Sequence, residues 1–127
     1  MSAMQGQVGG DHYKTMGMQP FEFTMANRWD ALAHTAFKYI ARHAAKGGKT
    51  DLEKALHCCD MRVELGAKWP PNPPVGEISV ETFIDANKLA MPERHALRAL
   101  TQWVHNPAMG PHSTRVAIRE LIAHRYP

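Results

Sequence analysis

The chain has 127 residues, a formal net charge of +3 and a hydrophobic fraction of 44%. These values exclude a wholly disordered chain, and the length fits one domain or two small units that share a core. No apolar run approaches the roughly 20 residues that cross a bilayer, and the first residues lack the regions of a signal peptide. We therefore expect a cytoplasmic protein, whose mild positive charge fits an anionic partner such as a nucleotide or a nucleic acid.

The two cysteines, Cys58 and Cys59, are neighbours in the sequence. Neighbouring cysteines rarely bond to each other, because the ring that would close is strained. Two thiols also fit a reducing compartment, and the spacing of these cysteines and His57 does not suit zinc. We expect no disulfide and predict no metal ligands.

The first half of the chain has the pattern of one short helix followed by two long ones. Residues 1–10 are polar and rich in glycine, which predicts a flexible tail. A proline in the first-turn position predicts a short helix over 20–27. Apolar residues at helical spacing predict a longer helix over 30–46, which Gly47 and Gly48 can end in the left-handed conformation.

Thr50 and Glu53 match the spacing of a capping box, in which each side chain bonds to the other residue's backbone amide. This pattern predicts a second long helix from there to about residue 65. Because the turn before it is short, we expect the two long helices to be antiparallel. The residues predicted on its buried face are Leu52, Ala55, Leu56, Cys59 and Val63.

A proline-rich segment divides the chain. The sequence WPPNPP can be neither a helix nor a central strand, so we predict a stiff linker over 69–77. It separates a nucleotide-binding helical hairpin unit at 11–68 from a second helical unit at 78–127. The role expected for the second unit is that of a scaffold or an oligomer interface.

The second unit has three helical signals. Ser79 can cap a short helix, Pro92 opens a long one, and a final helix is predicted over 113–124. Nothing alternates with a period of two for long enough to predict a strand, except a possible short hairpin near 12–18. We predict an all-α fold.

The two halves resemble each other when one is shifted by 60 positions. We interpret this as two degenerate helical-hairpin repeats packed as one compact domain, and chance similarity between alanine-rich helices is the alternative. The second half lacks several polar residues of the first, which places the polar chemistry in the first half. The matching positions include Phe23 with Phe83, Asn27 with Asn87 and Ile40 with Leu100. When the shift is increased by two residues, Ala55 also matches Ala117.

Lys38, Arg42 and Lys46 are spaced by four residues and form a cationic row opposite the apolar stripe of their helix. Such a row can hold a di- or triphosphate, whose oxygens accept several charge-assisted hydrogen bonds. The alternative is a solvated basic surface.

An acidic row on the next helix contains Glu53, His57, Asp60 and Glu64. It can face the cationic row across the hairpin, or hold a magnesium ion bridged to phosphate. The alternative is an exterior of salt bridges.

A polar loop precedes the first helix. In it, His12 can act as a general acid or base or bind phosphate, and Tyr13 can stack on a base. Ordinary loop polarity is the alternative. The chain has no GxxxxGKS or GxxxxGKT loop, so a common kinase fold is not expected.

The order of the segments GGDHYKTMGMQPFEF, FKYIARH and DLEKA, over residues 9–65, resembles a family of small phage proteins of unknown function. One branch, from short-tailed coliphages, phosphorylates deoxynucleoside monophosphates without a classical phosphate-binding loop and forms large oligomers. The resemblance implies a nucleotide ligand, a homo-oligomer and a host-cytoplasmic phage protein. It points to site residues His12, Tyr13, Lys38, Tyr39, Arg42, Lys46, Asp51, Lys54 and Asp60.

The leading hypothesis is therefore a nucleoside monophosphate kinase without a P-loop. Lys38, Arg42 and His12 would be catalytic, and Tyr13, Tyr39, Lys46 and Asp60 would help to bind the substrate. Magnesium would enter with a nucleoside triphosphate. The alternatives are a protein that sequesters a nucleotide, such as a host signalling nucleotide, a small nucleic-acid binder, and a helical nucleoside-triphosphate pyrophosphatase.

Overall fold

A computed structural model describes residues 16–66 and 76–127, and these residues form six α-helices and no strand. The all-α prediction is confirmed. Positions 16–18, at the end of the predicted hairpin, form a bend, and His12, Tyr13, the predicted tail and residues 69–75 of the predicted linker lie outside the described residues. The helices are α1 (Pro20–Ala26), α2 (Ala31–Arg42), α3 (Lys49–Gly66), α4 (Val80–Asn87), α5 (Met91–His105) and α6 (His112–Arg125).

The long helices pair as antiparallel hairpins. At one end of the first hairpin Arg62 of α3 pairs with Asp30, which caps the start of α2, with 3.0 Å between Nη2 and Oδ2. At the other end Arg42 of α2 pairs with Asp51 in the first turn of α3. In the second hairpin, α5 packs on α6.

One apolar core joins the two hairpins, because α2 packs on α5 and α3 packs on α6. Its centre is aromatic. The ring of Phe37 lies 4.8 Å from that of Phe23 and 4.7 Å from that of Phe83, and all three side chains are fully buried. Burial of a phenylalanine is worth roughly 1.5–3 kcal/mol, so this trio is a main link between the halves. Within the described residues, no helix has both the length and the apolar character that a membrane crossing requires.

The first long helix ends earlier than the sequence predicted. α2 stops at Arg42, a single 3-10 turn follows at His43–Ala45, and Lys46 lies beyond it. Gly48 adopts a φ of +60°, and its amide donates to the His43 carbonyl at 2.7 Å. This bond closes the turn after the helix. Lys38 and Arg42 therefore lie on α2, whereas Lys46, the last residue of the predicted row, does not.

The predicted capping box is wrong, because α3 begins at Lys49 and Thr50 lies inside the helix. The side chain that supports this turn is Asp51, whose carboxylate accepts a hydrogen bond from the Gly47 amide at 3.1 Å. The predicted buried face of α3 is also partly wrong. Val63 is 45% exposed, whereas Cys58 is buried.

Two asparagines bind the segments that enter the short helices. The Asn27 side chain donates to the Ile78 carbonyl at 2.8 Å and accepts from the Ile78 amide at 2.9 Å. The Asn87 side chain donates to the Met18 carbonyl at 2.9 Å and accepts from the Met18 amide at 3.4 Å. Each half thus holds the other by the same pair of bonds, at positions 60 residues apart.

The turns after the two short helices also match. Arg28 follows α1 with a φ of 56°, and Lys88 follows α4 with a φ of 52°. These are unusual values for residues with a side chain. The order of a short helix, a long helix, a 3-10 turn and a long helix recurs in both halves.

Candidate functional site

Three cations surround one tyrosine on the first hairpin, and the charge of a fourth acts on one of them. Around the Tyr39 ring, the Arg42 guanidinium carbon lies 4.8 Å from the ring centre, and the Nζ atoms of Lys38 and Lys54 lie at 5.5 and 5.8 Å. Lys46 is close enough for its charge to act on Lys38. We call Tyr39 and these four cations the Tyr39 cluster.

The helical hairpin brings the cluster together. Lys38 and Arg42 are one turn apart on α2, on either side of Tyr39, so they share its face. Lys54 comes from α3, which runs back along α2. Tyr39 itself packs against the apolar core and is half-buried, which fixes the ring at the centre of the cations.

Asp51 is the carboxylate of this region, and it is already engaged. Its Oδ2 accepts from Arg42 Nε at 3.2 Å and from the Gly47 amide at 3.1 Å. Both side chains of the ion pair are largely buried. Asp51 therefore orients Arg42 against the Tyr39 ring and fixes the turn between α2 and α3.

The positive charge of the cluster exceeds what Asp51 balances. Burial, followed by the charges of Arg42 and Lys46, lowers the pKa of Lys38, while Asp51 acts in the opposite direction. Within the described residues, Lys38, Lys46 and Lys54 take part in no ion pair. A bound anion would relieve this repulsion, which makes the cluster a candidate anion site.

Cys58 lies beside Lys38 but adds no charge to the cluster. It is buried, and burial raises the pKa of its thiol despite the opposing effect of Lys38. The thiol is therefore neutral at physiological pH. Both cysteines are free, in agreement with the expectation of no disulfide.

Of the predicted site residues, Lys38, Tyr39 and Arg42 lie together, and Lys46 is near them without being on their helix. Asp60 is not part of the cluster, because it pairs with Arg115 on α6 at 2.6 Å. Spacing along a helix defines the face on which a residue lies, but not which neighbouring helix that face meets. His12 and Tyr13 fall outside the described residues.

The acidic row does not assemble opposite the cations. Glu53, His57 and Glu64 are exposed on α3, and it is Asp51 that pairs with Arg42. No three acidic, histidine or cysteine side chains in the described parts of the chain are grouped so as to hold a metal ion.

A buried polar group behind the α2–α3 turn was missed in the sequence. His43 is 2% exposed, and its Nδ1 lies 2.7 Å from the Tyr126 hydroxyl. Its Nε2 is 3.9 Å from Oε1 of Glu93. The same carboxylate oxygen forms an ion pair with Nη2 of Arg125 at 2.8 Å. Burial lowers the pKa of His43, although Glu93 raises it. These residues are far apart in the sequence and meet only through packing of the helices, so no local sequence pattern predicts their contact.

A cleft of about 510 Å³ lies away from the cluster, where the end of α3 meets the start of α2 and the end of α5. Arg62 crosses it, with its guanidinium 4.5 Å from the centre of the Trp103 ring. Apart from Arg62 and Asp30 its walls are apolar, and it shares no residue with the Tyr39 cluster. It offers little to a phosphorylated ligand.

Comparison with protein-family models, with curated proteins and with solved structures found no match to the chain. The phage-family resemblance of residues 9–65 therefore stays a prediction.

Proposed function

We propose that the Tyr39 cluster binds the phosphate groups of a nucleotide, and that the protein transfers a phosphoryl group to a nucleoside monophosphate. One observation carries the binding part of this proposal. Three cations lie around one half-buried aromatic ring and the charge of a fourth, Lys46, acts on Lys38, while Asp51 is already shared between Arg42 and the Gly47 amide.

The cluster offers complementary groups to the two parts of a nucleotide. Lys38, Lys46 and Lys54 supply ammonium donors for phosphate oxygens, and such charge-assisted bonds contribute about 1.5–3 kcal/mol each. The Tyr39 ring supplies an aromatic surface for the base, and stacking of this kind is worth about 1–3 kcal/mol. Arg42 is held in place by Asp51 and adds a fixed positive charge.

Phosphoryl transfer needs little covalent chemistry from the protein. An oxygen of the monophosphate attacks the γ-phosphorus of a nucleoside triphosphate, and the bond to the β–γ bridging oxygen breaks, which yields two diphosphates. The cations of the cluster would offset the charge on the moving group. Magnesium would arrive bound to the triphosphate, the form in which most phosphate sites take it.

A second candidate is nucleotide binding without turnover. It is favoured by the state of Asp51, whose engagement with Arg42 and Gly47 leaves it poorly placed to activate an acceptor. The two candidates share the binding site and differ only in whether product forms.

The test combines a binding assay with a product assay. The purified chain is titrated with each deoxynucleoside monophosphate in a calorimeter, then incubated with the same monophosphate, ATP and magnesium while diphosphate is followed by phosphorus NMR. We expect saturable binding and diphosphate formation. Binding without diphosphate would leave the sequestering candidate, and the absence of any nucleotide binding would overturn both.

Variants locate the activity. Lys38→Met combined with Lys46→Met should weaken nucleotide binding by about 100-fold, if each lost contact costs about 1.4 kcal/mol. Arg119→Gln is the matched control, because it removes a positive charge from an exposed position of α6 outside the cluster. Tyr39→Phe should bind as wild type, whereas Tyr39→Leu should lose about tenfold.

A further inference from the structure

The second half has a position that corresponds in sequence to the Tyr39 cluster. The reciprocal bonds of Asn27 and Asn87 and the similar φ values of Arg28 and Lys88 recur 60 residues apart, and we use this shift to compare α4 and α5 with α1 and α2. For the last helix we use a shift of 62 residues, which matches the buried Ala55 of α3 with the buried Ala117 of α6.

By these shifts, the position of Tyr39 corresponds to Ala99. Lys38 corresponds to Arg98, Arg42 to Gln102, and Lys54 to Val116 of α6. Arg98, Ala99, Gln102 and Val116 all line one cleft of about 390 Å³. By this correspondence Ala99 has a methyl group where the first half has the phenol ring of Tyr39, and the cleft lies beside that methyl group. We call it the Ala99 cleft.

The charge of the Ala99 cleft differs from that of the Tyr39 cluster. Arg98 is its cation with a fixed charge, and Glu81 neutralises it through two bonds, of 2.6 Å to Nε and 2.8 Å to Nη2. A phosphate would have to displace Glu81 before it gained that charge. The cleft therefore does not favour an anion.

The remaining walls suit a flat polar ring. Ala99 and Val116 provide apolar surface, and Gln102 offers both an amide donor and an amide acceptor at the rim. His95 and His112 add imidazoles, which donate and accept as well. A volume of about 390 Å³ lies within the range of small-ligand clefts.

We propose that the Ala99 cleft binds the base of a nucleoside, with the ring in the volume that Tyr39 fills in the first half and its edge bonded to Gln102. This site is separate from the Tyr39 cluster and does not depend on the function proposed for it. The ligand class follows from the shape of the opening and from the mixed donors and acceptors at its rim.

The test uses the whole chain with labelled methyl groups, titrated with adenosine, guanosine, cytidine and thymidine in separate samples. We expect at least one nucleoside to move the methyl resonances of Ala99 and Val116 in a saturable manner, and inorganic phosphate to leave them in place. If no nucleoside moves these resonances at millimolar concentration, the proposal is wrong. Equal affinity for p-cresol, which has the ring of tyrosine without base-like edges, would also overturn it.

Substitutions separate the cleft from the rest of the surface. Ala99→Tyr refills the opening and should weaken nucleoside binding at least about tenfold, while Ala123→Tyr adds the same ring at an exposed position of α6 and should leave binding within about twofold. Gln102→Leu removes the amide and keeps the size of the side chain. It should also weaken nucleoside binding, and it tests the cleft if Ala99→Tyr fails to fold. Unchanged binding in a folded Ala99→Tyr or in Gln102→Leu would contradict the proposal, and Tyr39→Leu should retain this binding in full.

Discussion

The face of α2 that carries Tyr39 and the face of α5 that carries Ala99 lie 60 residues apart in the sequence, and they present different chemistry. On the first face three cations surround a phenol ring, and the charge of Lys46 acts on one of them. The second face has a cleft and a neutralised arginine. Asn27 and Asn87 make the same pair of backbone bonds in the two halves, so the comparison teaches that the scaffold and the site are set by different residues.

The largest effect is expected where the two halves hold each other. Asn27 is itself buried, and Asn27→Ala removes the partners of both the amide and the carbonyl of the partly buried Ile78, so we expect a loss of about 2–4 kcal/mol in the free energy of unfolding. Asn87→Ala should cost about 1–2 kcal/mol, because Asn87 is partly exposed and one of its bonds is 3.4 Å long. Urea unfolding measures both.

Two results would contradict the prediction for Asn27→Ala and Asn87→Ala. If Asn27→Ala costs less than Asn87→Ala, or if both cost less than about 0.5 kcal/mol, these bonds do not hold the halves together.

Acid is expected to weaken the first half through His43. Its pKa in the folded protein is lower than the ordinary 6.5, chiefly because it is buried. Its contribution to stability is therefore complete above about pH 6.5, and it is lost as the pH falls toward the folded pKa, because the unfolded chain takes up the proton first. His34, whose pKa burial also lowers, acts in the same direction.

The measurement is urea unfolding at pH 7.5 and pH 5.0. His43→Gln should reduce the loss of stability between the two values, whereas His57→Gln, at an exposed position, should leave it as in the wild type. The same pH dependence in His43→Gln and in the wild type would show that the buried imidazole is not responsible.

Removing a cation from the Tyr39 cluster should raise the stability of the protein and weaken its binding of nucleotide. At neutral pH, Lys38 is a half-buried charge in the field of Arg42 and Lys46, so Lys38→Met should raise the midpoint of thermal unfolding. The same substitution should weaken nucleotide binding by about tenfold. Arg98→Met, at the equivalent position of the second half, should lower the midpoint slightly, because it breaks the pair with Glu81. If the unfolding midpoint of Lys38→Met is at or below that of the wild type, the charge of Lys38 does not destabilise the folded protein and the prediction is wrong.

The smallest effect concerns the two left-handed turns. Arg28→Gly and Lys88→Gly should each stabilise the protein by up to about 1 kcal/mol, because glycine adopts a positive φ without steric conflict. The two changes should agree with each other within about 0.5 kcal/mol if the turns are equivalent. Denaturant midpoints will decide this, and a destabilising effect at either position would show that its side chain makes a contact worth more than the strain.

Much of the fold is predictable from local signals. The proline of α1 and Ser79, whose hydroxyl accepts from the Thr82 amide before α4, mark helix starts where the structure has them. The end of α2 and the start of α3 were not predictable in detail. They depend on the bond of Asp51 to the Gly47 amide, which no helix-capping pattern indicated, and on the bond of Tyr126 to His43, which joins residues 83 positions apart.

The candidate site is predictable to a similar degree. Lys38, Tyr39 and Arg42 must share one face of a helix, whatever the helix packs against. The contribution of Lys54 depends on how α3 is rotated against α2, and it entered only through the family resemblance. The pairing of Asp60 with Arg115 on α6 could not be predicted either, because the spacing along α3 does not indicate which helix that face meets.

The most direct test of the Tyr39 cluster is an amide chemical-shift map of the isotope-labelled chain during titration with a deoxynucleoside monophosphate. We expect the amides of Lys38, Tyr39, Arg42 and Lys54 to move together with one saturation curve, and we expect Lys38→Met to weaken this binding while Arg119→Gln leaves it unchanged. Saturable shifts confined to other surfaces, or no shifts at millimolar nucleotide, would contradict it.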